Sequence, residues 1–129
     1  MNIMSSKYKN RKVTAEDGTV FDSRKEYKRY EALLEEQSEG IISDLRRQVK
    51  FELIPPIYQT FEKRLKTKIK QERRCVQKAT HYIADFSYVR DGKVIVEDVK
   101  ASFKFQDPVY RLKKRLMRYV HGIEIHEVY

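Results

Sequence analysis

Apolar residues recur along the chain with two different periods, and the changes of period mark its elements. Tyr27, Tyr30, Leu33 and Leu34 return every three or four residues, with Lys25, Arg29, Glu35 and Glu36 between them. That is the stripe of a helix with one inward face. Ser23 followed three residues later by Glu26 has the spacing of a capping box, and Gly40 is placed to end the helix. Ahead of it, Glu16-Asp17-Gly18-Thr19 predicts a tight turn into a short strand at 19–21. Behind it, Val49, Phe51 and Leu53 alternate with Gln48, Lys50 and Glu52, so 48–54 reads as a strand that Pro55-Pro56 stops. Residues 43–47 read as a helical turn or loop leading into that strand.

From 57 to 78 the period is ambiguous. Tyr58, Phe61, Leu65 and Ile69 suit a helix or a long twisted hairpin equally well. Beyond it, a strand over 80–89 turns at Asp91-Gly92, a strong hairpin signal, and returns over 93–100. Asp107-Pro108 supplies a cap and a proline at the first helical position. The helix it opens runs to about 120, with Val109, Leu112, Leu116 and Tyr119 or Val120 expected inward. Gly122 closes it, and a last strand over 123–128 alternates Ile123 and Ile125 with Glu124, His126 and Glu127. The predicted order is helix, three strands, helix, strand. This is an α/β (α+β) domain over 13–129 with a mixed central sheet flanked by helices, and residues 1–12 form a flexible basic arm.

Composition narrows the partners. The 129 residues carry 28 Lys and Arg against 19 Asp and Glu, a net charge of +9. A basic domain of this size is suited to polyanions, because neutralised phosphates release counterions. Residues 57–78 hold eight of the cations against only Glu62 and Glu72, so this stretch is either a DNA-facing arm or a solvated charged loop. Cys75 is the only cysteine, which excludes an internal disulfide and fits a reducing, cytoplasmic setting. Neither a bilayer-spanning run nor a signal peptide is expected. With no CxxC, no HExxH and scattered histidines, any metal would be a hard ion held by carboxylates.

The chemistry concentrates where the hairpin ends. Side chains two apart on a strand share a face, so Asp98 and Lys100 project together while Glu97 and Val99 project the other way. Counting from the Asp91-Gly92 turn places Asp85 across from Asp98 on the neighbouring strand. Two acids so opposed repel unless a cation or a proton lies between them. Paired carboxylates with a backbone carbonyl such as that of Val99 suit a hard divalent ion completed by water. Lys100 could then orient a water or offset charge building on a phosphate. An acid followed two residues later by lysine is also a common surface ion pair.

Three motifs in order, Phe21-Asp22-Ser23-Arg24-Lys25-Glu26, Tyr82-Ile83-Ala84-Asp85-Phe86 and Glu97-Asp98-Val99-Lys100, resemble the PD-(D/E)XK nuclease superfamily. Within it the chain is most similar to small phage-encoded, Holliday-junction-resolvase-like endonucleases. The resemblance spans about residues 8 to 128 and implies a restriction-endonuclease-like αβββαβ core. It implies that Asp85 and Asp98 bind Mg²⁺ or Mn²⁺ with the Val99 carbonyl, that Lys100 positions the attacking water, and that Glu26 completes the catalytic set. The proline usual before the first aspartate is Ala84 here. Glu97 rivals Asp98 for the acidic position, and strand parity favours Asp98. Glu26 has a second reading, as a capping-box residue alone.

Lys113, Lys114, Arg73, Arg74 and Gln48 are the expected DNA contacts. The implied activity is Mg²⁺-dependent hydrolysis of DNA phosphodiesters, selective for branched or junction structure, in phage DNA recombination or processing. Two cuts at a junction would require a homodimer, with no membrane or small-molecule cofactor involved. A phage protein would work in the bacterial host cytoplasm. The alternative is a non-catalytic basic module that binds DNA or RNA.

Overall fold

A computed structural model describes residues 11–102 and 107–129, so nearly all of the basic N-terminal arm lies outside the described residues. Val13–Thr14 (β1) pairs with Val20–Phe21 (β2) around the Asp17-Gly18 turn, and Phe21 is fully buried. Helix α1, Arg24–Ser38, begins where Ser23 Oγ accepts the Glu26 N–H at 3.1 Å. β3, Ser43–Ile54, follows, then a hairpin of β4, Ile57–Arg64, and β5, Ile69–Gln77. β6, Thr80–Arg90, and β7, Lys93–Val99, form the second hairpin. α2, Pro108–Leu116, is capped by Asp107 and runs into a π-turn, Met117–His121, which Gly122 ends at φ 67°. β8 is His126–Val128.

The fold is α+β. The main sheet has the order β3-β6-β7-β8, antiparallel except for the parallel pair β7-β8. Without the hairpin that interrupts it, the element order is helix, three strands, helix, strand. No helix among the described residues is long and apolar enough to cross a membrane.

Three expectations need correction and one ambiguity is resolved. Residues 43–47 are strand, not helix or loop. Their alternation is masked because Asp44 sits at φ 54° beside a register shift, and because the inward place of an apolar residue is taken by Arg47, whose guanidinium lies 4.0 Å over the Phe21 ring. The second helix is α-helical only to Leu116, with the π-turn completing it. Its inward residues are Tyr110, Leu116 and Met117, while Val109 and Leu112 are more than half exposed. Polar-ended side chains face inward there because an acid on β8 receives them: Glu127 accepts Tyr110 Oη at 2.7 Å and pairs with Lys114 Nζ at 3.2 Å. The last strand is only 126–128, although Ile125 is buried ahead of it. The ambiguous 57–78 stretch is the β4-β5 hairpin.

Two apolar clusters show how the layers sit. One joins Leu33 of α1 with Ile42, Phe86 and Tyr88, and takes in Leu45, Ile95 and Val99. The other joins Met117 with Leu53, Tyr82, Ala84, Val96 and Ile125, and takes in Phe51 and Tyr110. Ile95 and Val96 are consecutive on β7 and belong to different clusters, so α1 and α2 cover opposite faces of the sheet.

In β3 and β6, however, residues of one parity divide between the clusters. Leu45 joins the α1 side but Phe51 and Leu53 the α2 side; Phe86 and Tyr88 join the α1 side but Tyr82 and Ala84 the α2 side. Both strands therefore turn over midway. Gln48 has φ 51°, and the register pairing Arg47 with Phe86 and Val49 with Ala84 sets Gln48 opposite Asp85 at that point. A left-handed conformation costs a non-glycine residue about 1 kcal/mol or more, so a fold that keeps one here gains from the turn-over elsewhere.

Candidate functional site

The site lies at this turn-over. The β6-β7 register pairs Phe86 with Glu97, and one step further it sets Asp85 opposite Asp98. Asp98 is buried, and its Oδ2 lies 2.6 Å from Lys100 Nζ. Asp85 Oδ2 accepts the Val99 N–H at 2.8 Å, so the strand ladder gives way to a side-chain bond where the two acids meet. Burial, then the charge of Asp98, and more weakly that of Glu26, push the Asp85 carboxyl up to about 8; the Val99 N–H opposes them. A cation between the acids would replace the proton that this environment favours.

Glu26 forms half of the expected capping box, with its carboxylate turned to β3 and not back to the Ser23 backbone. Its N–H serves the Ser23 cap, while its buried carboxylate reaches β3, accepts Gln48 Nε2 at 3.2 Å and stands 3.7 Å from an Arg47 guanidinium nitrogen. Burial and then Asp22 raise its pKa, and Arg47 pulls the other way. Gln48 thus faces Asp85 across the sheet and donates to Glu26 on the helix side. The left-handed residue of β3 is the link between the helix and the acid pair.

The rivalry between Glu97 and Asp98 resolves by face. Glu97 is buried on the α1 side, where it accepts Arg29 Nε at 2.8 Å and a second guanidinium nitrogen at 2.6 Å and also binds the Tyr88 hydroxyl. The pair raises the Arg29 pKa, chiefly through these hydrogen bonds. Glu97 is fully engaged in tying α1 to β7. Asp98 faces the other way, next to Lys100.

Lys100 makes two contacts. Its ammonium lies 3.2 Å from the centroid of the Tyr110 ring and bonds Asp98. Tyr110 is anchored by Glu127, which is the register partner of Asp98 on β8. Burial, then the bond to Glu127, raises the Tyr110 pKa. Burial would raise Glu127, but hydrogen bonds from Tyr110, Lys114 and Tyr129 outweigh it and lower its pKa. Tyr82 completes the α2-side wall: burial, then Asp98 and Asp85, keep its hydroxyl protonated far above the usual range.

Of the expected DNA contacts, Gln48 is part of the site. Lys113 is half-buried and Lys114 is turned onto Glu127, so the outward cations of α2 are Arg111 and Arg115. Arg73 and Arg74 are on the separate hairpin, 4.0 Å over Tyr58 and 5.2 Å over Phe61 respectively. Sequence reading missed Arg47, Tyr82, Tyr110 and Glu127. Only Tyr82 carried a signal, as the first residue of the Tyr-x-Ala-Asp motif; the others depend on long-range packing.

The donor set fits a hard divalent ion. Among the described residues, no three His, Cys, Asp or Glu side chains converge as a cage. Asp85 and Asp98 would therefore be the protein's two anionic ligands, with water and phosphate oxygens completing an octahedral shell, as is common for Mg²⁺.

The sequence profile of a family described as "Protein of unknown function (DUF1064)" matches residues 5–126. The chain belongs to this family. The match covers every element of the DUF1064 chain described above from β1 to the start of β8, including both aspartates and Lys100. Comparison with curated proteins and with solved structures finds no match.

Proposed function

We propose that this DUF1064 protein is a divalent-metal-dependent nuclease acting on DNA phosphodiesters. The observation that carries the reading is the opposition of Asp85 and Asp98 at a break in the β6-β7 ladder, with Lys100 2.6 Å from Asp98. Acids paired this way are unfavourable unless a cation or a proton lies between them, and a divalent ion is the occupant that fits both carboxylates at neutral pH. A bound divalent ion would supply Lewis-acid stabilisation of charge on the scissile phosphate.

The chain's own groups do the rest. The Val99 N–H fixes the Asp85 carboxylate, leaving little freedom for it to rotate away. The Lys100 ammonium is a donor on the same face as Asp98, placed to orient the attacking water or a non-bridging oxygen. The Tyr110 ring keeps that ammonium from swinging into solvent. Glu26, held by Gln48, sets the polarity on the helix side. The three ordered motifs and the element order also support a PD-(D/E)XK core, and with it a branched DNA substrate cut by a homodimer.

The test is Mg²⁺-dependent nicking of supercoiled plasmid and cleavage of four-way junctions. The wild type should cut, and Asp98→Asn and Lys100→Ala should lose activity by at least about 100-fold while folding normally. Equal cutting by the variants would overturn the assignment. Binding of DNA by the wild type without any cleavage would favour the non-catalytic module instead.

A further inference from the structure

We propose that the β4-β5 hairpin is a grip on duplex DNA, set into a groove with its basic tip against the phosphates and away from the cleavage site. This rests on the nuclease reading only for the identity of the polyanion.

The hairpin does not belong to the core. Among the described residues β4 and β5 form a sheet only with each other, and every position of β4 is exposed. It springs from between Ile54 and Thr80, which are themselves register partners, so the main sheet closes beneath it. A free two-stranded ribbon is marginally stable in water, and nothing in the packing requires one here.

Its charge is arranged against its own stability. Between residues 63 and 70 lie Lys63, Arg64, Lys66, Lys68 and Lys70 and no acid. Lys63 and Lys70 are direct cross-strand partners, an arrangement that destabilises a sheet by repulsion. Toward the base the cations are matched: Arg74 pairs with Glu72 at 3.1 Å, and Arg73 rests on Tyr58. None of the five tip cations is in an ion pair with an acid among the described residues. Glu72, whose pKa Arg74 first and Lys63 more weakly lower, offsets Lys63 in part; the other tip cations are open to an external polyanion.

The shape favours nucleic acid. Lys63 and Lys70 lie on one face of the ribbon, Arg64 alternates to the other, and Lys66 and Lys68 occupy the turn closed by Leu65 N–H to Lys68 O at 2.8 Å. A flat anionic membrane would be met by one face, whereas cations on both faces and the tip suit an element with phosphates on either side. The major groove of B-DNA, roughly 12 Å wide, admits a two-stranded ribbon. Eight residues of strand reach about 26 Å, enough to carry the tip well clear of Asp98.

The test compares the wild type with a variant carrying Gln at positions 63, 64, 66, 68 and 70, using anisotropy of a labelled 30-base-pair duplex in EDTA. We expect the slope of log K against log salt to fall by about 3 to 4.5, and affinity at 0.1 M salt to drop roughly 30-fold or more. Cleavage at saturating DNA should keep its kcat and raise KM. Lys63→Glu gives an independent sign: pairing with Lys70 should stabilise the hairpin in hydrogen exchange while weakening DNA binding.

Unchanged affinity and salt slope would overturn the grip, as would tip-dependent binding to phosphatidylserine vesicles with DNA binding intact. Loss of binding in the variant together with an inactive wild type would leave the grip standing and refute the nuclease. A wild type that cuts and a variant with the same KM would do the reverse.

Discussion

Replacing Asp85 by Asn should make the metal-free protein more stable and, on the proposed function, abolish Mg²⁺-dependent nicking. In the fold the Asp85 carboxyl is pushed up to about 8 from an ordinary value near 3.8, by burial first and Asp98 second. Between about pH 4 and pH 8 the folded chain therefore keeps a proton that the unfolded chain has released, so wild-type stability falls as pH rises across that window. Each pH unit between the two values is worth about 1.4 kcal/mol, a ceiling of about 4 kcal/mol near pH 7 that relaxation and water around the pair reduce to roughly 2 to 4, and at most about 1 kcal/mol at pH 4.5. Asn avoids that cost: its carbonyl can still accept the Val99 N–H and its amide can donate toward Asp98.

For a chain of this size the gain corresponds to a Tm increase of roughly 6 to 12 °C at pH 7 in EDTA, and only a few degrees at pH 4.5. Thermal unfolding followed by circular dichroism at both pH values measures it. Saturating Mg²⁺ should raise the wild-type Tm at pH 8 and leave Asp85→Asn unmoved. A destabilised variant, or one equally stabilised at both pH values, would refute the acid-pair reasoning.

Glu97→Ala leaves the Arg29 guanidinium and the Tyr88 hydroxyl without their buried acceptor and should cost on the order of 3 kcal/mol in urea unfolding, with kcat unchanged for the folded fraction. Tyr110→Phe keeps a ring over Lys100 and should retain most activity, whereas Tyr110→Leu should lose about 3- to 30-fold in single-turnover rate. At position 48 the usual preference within a strand should invert: with φ at 51°, Gln48→Gly should be about 1 kcal/mol more stable than Gln48→Ala by denaturant midpoint.

The elements with clean periods were legible in the sequence. Ser23, Gly40, Asp91-Gly92 and Asp107-Pro108 mark boundaries through local backbone chemistry, and strand parity alone separated Asp98 from Glu97. What escaped depends on partners distant in sequence. Arg47 looks like a surface cation until Phe21 and Tyr30 are seen beneath its guanidinium. Tyr110 and Lys114 face inward because Glu127, brought alongside β7 by β8, can accept them, and so an apolar-stripe reading has Leu116 right but turns Val109 and Leu112 inward in place of Tyr110. The turn-over at Gln48 has no local signal, because glutamine has no special preference for positive φ. The hairpin was ambiguous because nearly all of its positions are exposed, and without a buried face a period carries no information.

The most direct test of the acid pair is anomalous diffraction from crystals soaked in Mn²⁺ at pH 8. We predict a peak between Asp85 and Asp98 with one oxygen of each carboxylate coordinated, abolished in Asp85→Asn crystals soaked identically. Carboxylates still held by Val99 N–H and Lys100, with no peak between them at saturating Mn²⁺, would contradict the account.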